Sequence, residues 1–580
     1  MMKPKASSPT VAYFSMEIAL DPNLPTYSGG LGILAGDTLR SAADLAAPLV
    51  AVTLVYRKGY FRQVLDQNGN QREEPQVYQP ETSLKEMKQR VSVRIEGREV
   101  WVRGWLYTIQ GVTGATLPVY LLDTDLPENS AFDRTITDSL YGGDEHYRLC
   151  QEVVLGFGGF KLLSKLGYNS IESYHMNEGH SALLALRLLE KRLDQSFAGR
   201  IKKLDIDGIQ KMCIFTTHTP VPAGHDQFPR KLAEQILAPE HISVLDESEA
   251  WHGDFLNMTY LALRFSGYVN GVAMRHGEVS RGMFPNYPIS AITNGVHAVT
   301  WTAPPFKELF DQHIPGWRTD NNYLRYAISI PLNDIRQAHE QARQILFDAI
   351  KERTGVALDP KVLTIGFARR ASTYKRADLL FSDRERLRKI AKEVGPLQIV
   401  YAGKAHPRDE GGKALIRKVF EGAAAISDTV RTVYVDNYDM HWGGLITSGV
   451  DIWLNTPLRP QEASGTSGMK AAMNGVPSFS IIDGWWAEGH IEGVTGWSIG
   501  STEVDGDPAA DAGTMYDKLE REIVPLFYKR PERFNEVMRS AIAFNGAFFN
   551  TQRMLQQYLA NAYARTGEAL TAPVAVPAAT

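Results

Sequence analysis

Short apolar runs separated by helix-spaced stretches limit this fold more than any other feature of the chain. In the second half, residues 362–367, 397–402, 432–435, 451–454 and 477–482 are such runs, rich in β-branched and aromatic side chains. Strands joined through helices cannot pair as tight hairpins, and crossovers of that length build a parallel sheet. The first half has its own series, at residues 11–14, 49–56, 117–122, 174–177, 212–215 and 289–292, and a hairpin over 91–107 that turns at Glu96-Gly97. One hydrophobic core stops growing at roughly 250–300 residues. A chain of 580 residues therefore needs at least two.

In open α/β sheets, ligands gather at the carboxyl ends of strands, so the loops there carry the functional reading. The most specific is Gln461 to Gly475, QEASGTSGMKAAMNG, between the runs at 451–454 and 477–482. Its small residues lead into a short helix from about Met469 that stops at Gly475. Free N–H groups at such a helix start attract anions, phosphate above all. Ser464, Gly465, Thr466 and Ser467 allow close backbone approach, and Lys470 adds an amine able to act as a cation or, if desolvated, as a carbonyl-binding nucleophile. A plain capped connection fits the same local features. A Walker loop does not, because Lys470 follows Met469 and precedes Ala471.

Other strand ends add to this. Tyr27-Ser28-Gly29-Gly30-Leu31-Gly32 opens a helix over 33–46, either as a second anion cradle or as a tight turn. Arg369, Arg370, Lys375 and Arg376 cluster after the run at 362–367, where an oxyanion would offset their repulsion. His175, Glu178 and His180 end one strand; capping and cleft lining account for them more simply than a metal does, and no metal is expected. His218 follows another strand, and Asn294 ends the run at 289–292, where an ordinary Asn-Gly turn is also adequate. Gly156-Phe157-Gly158-Gly159, inside a helix over 152–166, fits close helix packing better than dinucleotide binding.

Glu462 followed eight residues later by Lys470 resembles the α-glucan (glycogen, starch and maltodextrin) phosphorylases, whose E-A-S-G-T-x-x-M-K and N-G segment holds pyridoxal phosphate. Retaining enzymes that use sugar nucleotides have a second glutamate at that later position, to hold a ribose. The resemblance spans most of residues 11–565, is strongest at 461–475 and is patchier between 60 and 140. It implies a GT-B type α/β fold, two Rossmann-like domains with parallel sheets facing across a cleft. The domains would be residues 1–294 on the glucan side and 295–545 around the cofactor, followed by a helix at 546–565 returning to the first domain and a disordered tail at 566–580. It also implies phosphorolysis of a terminal α-1,4-glucosidic bond by inorganic phosphate, giving glucose 1-phosphate with retention of configuration, in a short bacterial or archaeal type of enzyme.

Carried over residue by residue, pyridoxal 5′-phosphate would be covalent at Lys470, with Thr466, Ser467, Gly30, Arg369 and Tyr438 around it. Arg370, Lys375 and His218 would join Lys470 in catalysis. Glu462, Ser464, Gly465, Asn294, His218, Gly30 and Leu31 would bind substrate. Residues 270–273 with His276 match a family helix, and Ala402-Gly403-Lys404-Ala405 matches a further family segment. Two positions depart from the pattern: Ala19 stands where a tyrosine near the cofactor is found, and Asp439 replaces the arginine of a Tyr-Arg pair. The rival reading is a nucleotide-sugar-dependent glucan synthase, which needs a carboxylate at position 470.

Composition agrees with a soluble cytoplasmic enzyme. A net charge of -4 gives no sign of nucleic-acid binding, and two cysteines make no disulfide framework. The most apolar long stretch, 42–56, contains Asp44 and Pro48 and is too short for a membrane span. The start shows neither a signal peptide nor an extended regulatory arm, so control through an N-terminal phosphosite is not expected. Glucan and phosphate are the expected partners, and the reading leaves room for a homo-oligomer.

Overall fold

The run Val11–Ser15 is buried at every position, and so are Leu49–Leu54, Leu363–Ala368 and Leu397–Ala402. Strands covered on both faces have no solvent side, which is why their sequences are continuous apolar runs and do not alternate. The structure, a computed structural model, describes residues 9–192, 203–221, 224–248, 250–501 and 507–564. The tail expected to be disordered, and the first eight residues, lie outside the described residues.

The first half supplies β1 (Val11–Ser15), β2 (Leu49–Leu54), β3 (Arg62–Leu65), β4 (Gln71–Glu74), β5 (Lys85–Ile95), β6 (Arg98–Gln110) and β7 (Thr116–Asp123). There follow β8 (Ser173–Asn177), β9 (Cys213–Thr216), β10 (Gln227–Pro229), β11 (Phe255–Asn257), β12 (Tyr268–Gly271) and β13 (Ser290–Ala291). Nine of these form one sheet in the order β13-β12-β9-β8-β1-β2-β7-β6-β5. Every pair from β13 to β7 is parallel; β6 and β5 add an antiparallel margin. The second half supplies β14 (Leu363–Ala368), β15 (Leu397–Ala402), β16 (Arg431–Val435), β17 (Ile452–Asn455), β18 (Ser478–Ile481) and β19 (Gly496–Ile499). These make an all-parallel sheet in the order β16-β15-β14-β17-β18-β19.

Among the parallel strands of each sheet the order reverses once, between β1 and β8 in the first and between β14 and β17 in the second. Chain connections leave in opposite directions on the two sides of such a point, so a crevice opens at the carboxyl ends of the strands. Glu17 and Glu178 follow β1 and β8; Arg369 and Glu462 follow β14 and β17.

The cores interlock. One apolar cluster around the second sheet, with Ile365, Leu454 and Met469, also takes in Ala19 and Ile33 from the first half. A cluster on one face of the first sheet, with Tyr13 and Leu39, takes in Met554, Leu555 and Tyr558 from the helix Thr551–Tyr558. Thr551 Oγ1 of that helix meets Ser41 Oγ at 2.6 Å. No helix among the described residues is long and apolar enough to cross a membrane.

Several details differ from the sequence reading. Residues 270–273 do not belong to a helix: Asn270 and Gly271 end β12, and the helix begins at Met274. The helix expected over 152–166 starts at Glu145, capped by Asp144, and widens to a π turn at Val154–Gly158. A Cβ at Gly156 would lie 2.7 Å from the backbone of Leu184, so close packing is the use of that glycine run. After β13 the chain is helical at Ala298–Trp301 and Pro304–His313, the latter with proline in its first turn. The strand β19 and the hairpin β3-β4 were not expected from the sequence. β19 is a four-residue run, and the hairpin is almost wholly polar.

Candidate active site

Lys470 lies in the helix Ser467–Met473, which begins at the carboxyl end of β17. Gly465, at φ +83°, makes the turn into it in a conformation that side chains other than glycine rarely adopt. The helix start has no side-chain cap, so its first N–H groups are free for a ligand. Lys470 itself is buried, and its Nζ sits 3.6 Å from the centre of the Trp301 ring with no hydrogen-bond partner among the described residues. Burial lowers its pKa to about 8, with Asp37 pulling upward and Arg40 downward. At neutral pH an appreciable share of the amine is therefore uncharged, which an amine that bonds a carbonyl carbon requires.

Trp301 was not singled out in the sequence, nor was Asp37. The Trp301 indole N–H donates to Asp37 Oδ2 at 2.6 Å, and Arg40 Nη1 donates to Asp37 Oδ1 at 3.2 Å. Asn474, from the N-G that follows Lys470, clamps the same wall. Its Nδ2 donates to Trp301 O at 2.8 Å and its Oδ1 accepts the Ala303 N–H at 2.7 Å.

The basic cluster is largely neutralised from within. Glu462 Oε2 lies 2.6 Å from Lys375 Nζ and 2.8 Å from Arg369 Nη1, all three side chains being buried. Burial alone would raise the Glu462 carboxyl, but Arg369 and Lys375 hold it down to about 2. Arg369 also donates to Asn455. Glu462, from which a sugar contact is expected, is also the counter-ion of Arg369 and Lys375, in a group carrying one net positive charge. Arg370 stands apart. Its side chain is accessible, with Tyr374, Tyr60 and Glu17 facing the guanidinium, and among the described residues it makes no ion pair. The main chain of Glu462 is held by Asp483, whose carboxylate accepts its N–H at 2.9 Å. Burial, helped by the Glu462 charge, raises Asp483 to about 6.

At the other switch point, two amides of the glycine-rich turn are already used. Glu17 Oε2 accepts the N–H groups of Ser28 at 2.5 Å and Gly29 at 3.2 Å, and Tyr141 holds Oε1 at 2.9 Å. The N–H groups of Gly30 and Leu31, at the start of the helix Gly30–Asp44, have no acceptor among the described residues. A Cβ at Gly29 or Gly30 would meet nothing within 4 Å, and neither has the positive φ that calls for glycine. Folding does not explain these glycines. The free amides of Gly30 and Leu31 offer two donors to an anion.

His218 is set by its neighbours. Its Nε2 is 2.7 Å from Asn177 Oδ1, an acceptor, which puts the ring proton on Nε2 and leaves Nδ1 as acceptor. Glu178 accepts the His218 N–H at 2.8 Å and the Thr219 hydroxyl at 3.0 Å. Burial lowers the His218 pKa to about 3, so the ring is neutral. His175 has both nitrogens engaged, with Tyr563 and Thr216, and His180 lies 3.3 Å from Asp226. Asn294 and Ser464 are buried, and among the described residues the side-chain oxygen of each lacks a partner, Oδ1 in Asn294 and Oγ in Ser464. Such atoms cost about 1–3 kcal/mol each unless something else bonds them.

Of the remaining candidates, Ser467 Oγ takes the Trp453 indole N–H at 3.2 Å, whereas Thr466 makes no cap bond. Tyr438 is half-buried near Arg369. Asp439, the acidic departure, accepts the Trp442 N–H at 2.9 Å as the cap of the helix Met440–Gly449. Ala19 is fully buried; a Cβ on Gly36 would lie 2.1 Å from its carbonyl oxygen. The two sets of strand ends are bonded to each other: Met440 N–H donates to Tyr27 OH, Thr293 Oγ1 and the Met274 N–H to Glu488, and Trp301 to Asp37.

The family described as carbohydrate phosphorylase matches residues 240–492. A maltodextrin phosphorylase of Thermococcus litoralis is 39% identical over 603 aligned positions, covering 97% of this chain and 71% of that one. A glycogen phosphorylase of Mycobacterium tuberculosis is 36% identical, covering 96% and 70%. A glycogen phosphorylase of Aquifex aeolicus is 35% identical, covering 96% and 86%. Likeness of that extent, running through both sheets and the loops at their switch points, makes this chain a member of the carbohydrate phosphorylase family.

Proposed function

We propose that this chain is an α-glucan phosphorylase that transfers the terminal glucosyl unit of an α-1,4-glucan to inorganic phosphate, with pyridoxal 5′-phosphate held covalently on Lys470. The observation that carries this reading is the Lys470 environment: a desolvated amine against the Trp301 ring, with no hydrogen-bond partner among the described residues, in a helix whose start is uncapped. A synthase that grips a nucleotide ribose has no use for a lysine at this point. We also propose the GT-B arrangement, with residues 1–294 and 295–545 facing across a cleft and the last helix returning to the first, and a cytoplasmic location.

The residues present fit the cofactor. Lys470 supplies the amine, Trp301 an apolar wall, and the Gly30, Leu31 and Thr466 backbone the anion-binding N–H groups. When bound, the cofactor supplies a phosphate, titrating near pH 6, as the acid–base group for proton exchange with the substrate phosphate. Arg370 offers inorganic phosphate an accessible two-pronged donor. Arg369 and Lys375, kept in place by Glu462, offset the charge of two adjacent anions. Asn294 Oδ1, Ser464 Oγ and His218 Nδ1 remain to meet sugar hydroxyls and hold the ring. So held, inorganic phosphate gives its proton to the glycosidic oxygen, the bond from that oxygen to C1 breaks, and a phosphate oxygen bonds C1 on the same face. The products are glucose 1-phosphate and a glucan one unit shorter.

The test is to incubate the purified chain with maltooligosaccharide and phosphate and to assay glucose 1-phosphate, with Lys470→Ala as control. Borohydride reduction followed by peptide mapping should label the peptide that contains Lys470. Glucose released without phosphate, or a label elsewhere, refutes the assignment.

A further inference from the structure

The loop that carries Asn294 is built against the far end of the chain. Val296 and Asn550 form a parallel bridge, in which the Val296 N–H donates to Phe549 O and the Thr551 N–H to Val296 O, both at 3.0 Å. The fit leaves no room for a side chain at position 295, where a Cβ would fall 2.2 Å from the carbonyl carbon of Asn550. Arg553, in the helix Thr551–Tyr558, then reaches back into the loop. Its Nη1 donates to Thr293 O at 2.7 Å and its Nη2 to Asn294 O at 3.0 Å. Nε is tied to Phe548 O at 2.9 Å, so the fork is fixed at its base as well as at its tips. The residue is 9% exposed, and among the described residues no carboxylate forms an ion pair with it. Its donors go to main-chain and amide oxygens, and its guanidinium lies 4.7 Å from the centre of the Phe548 ring.

The two carbonyls it holds flank the Asn294 Cα. One belongs to the peptide plane before that atom and the other to the plane after it, so fixing both fixes φ and ψ at Asn294 and with them the direction of its side chain. On the other side, the Asn294 N–H donates to Val272 O at 3.0 Å. What this frame presents is a buried Oδ1 with no partner among the described residues.

We propose that Arg553 is a positioning residue for glucosyl recognition, acting through Asn294, and that the last helix thereby forms part of the sugar wall. The inference rests on the phosphorylase reading given above. Lysine cannot replace the fork, because an ammonium group has no fixed pair of donors set to span two carbonyls.

The experiment compares the holoenzyme with Arg553→Lys, Asn294→Ala and the double variant, measuring cofactor content and kcat/KM for maltooligosaccharide and for phosphate. Arg553→Lys should lower kcat/KM for glucan about 10- to 100-fold, the range expected when a binding group is misplaced by ~1 Å. Cofactor content should stay at that of the unmodified chain, and KM for phosphate within about twofold, because only the sugar wall has moved. In the Asn294→Ala background the same change should cost less than about threefold, since residues that act through one another are not additive. Losses that multiply independently, or a matching loss of phosphate affinity, overturn the assignment. Should Arg553→Lys not fold, Arg553→Gln keeps one donor and takes its place. If neither retains cofactor, Arg553 holds the fold and not the sugar wall, and the assignment fails. An unmodified chain that loads pyridoxal phosphate but makes no glucose 1-phosphate refutes the activity itself, a result read before any variant is made.

Discussion

Lys470 is governed by a residue far from it in sequence. Asp37 accepts the Trp301 indole N–H, Trp301 lies against the Lys470 amine, and the carboxylate works against burial by favouring the ammonium form. Replacing Asp37 with asparagine removes that support while keeping an oxygen to accept the indole. The pKa of Lys470, now about 8, should then fall further. A lower pKa leaves more neutral amine at any given pH, so uptake of pyridoxal phosphate by the cofactor-free chain, followed against pH, should reach its half-maximal rate at lower pH in Asp37→Asn. A midpoint unmoved or shifted upward would show that Asp37 does not act on the amine. None of this was legible in the sequence. Lys470 was readable because its neighbours form a long ordered motif, but Asp37 and Trp301 belong to no motif and reach the site only through folding. Asp483 and Glu17 were missed for the same reason, since each acts by accepting backbone N–H groups. Glu462 stands out in the sequence, but its place between Arg369 and Lys375 does not, because an ion pair between distant positions leaves no local pattern.

The helix Gly30–Asp44 poses the question of an anion cradle or a tight turn in a form that one substitution answers. Glu17 takes the amides of Ser28 and Gly29, so the turn is already capped without a ligand, while the amides of Gly30 and Leu31 remain free. A methyl group at Gly30 meets no atom within 4 Å. Gly30→Ala should therefore leave the cofactor-free chain as stable as before, or more stable by up to about 1 kcal/mol, since alanine is the better helix former. In the loaded enzyme the same methyl group would stand in the way of an anion, so phosphate affinity should fall about tenfold or more, roughly the loss of one charge-assisted hydrogen bond. Thermal unfolding of the cofactor-free chain and phosphate KM of the loaded enzyme check the two halves separately. Loss of stability would favour the turn reading, and unchanged KM would exclude the cradle. The central strands β1, β2, β8, β9, β14, β15 and β17 were legible because burial on two faces writes continuous apolar runs; β12 and β19, four residues each, were not. The hairpin β3-β4 was not: its buried Gln63 is satisfied by Gln71, Gly403 and Asn437, and polar residues with distant partners look like loop.

Across the whole molecule, neither sheet closes its core alone. The second draws Ala19 and Ile33 from the first half, and the first draws Met554, Leu555 and Tyr558 from the end of the chain. The hairpin adds a polar tie, with Gln63 Nε2 donating to Gly403 O at 2.9 Å and Lys404 Nζ to Phe61 O at 3.1 Å. Separating the halves would expose buried apolar side chains at about 25 cal/mol per Å² and strand buried backbone groups at about 1–3 kcal/mol each. Chains with two cores often unfold in steps. Here the shared apolar clusters oppose that, because the half left folded would face water with an incomplete core. Calorimetry should accordingly show one transition for the unmodified chain. Gln63→Ala should lower its midpoint without splitting it, since the apolar exchange at both ends of the chain survives the loss of the polar tie. Two resolved transitions in the unmodified chain would mean that each half is stable without the other. A split only in Gln63→Ala would place the coupling in the hairpin and not in the cores.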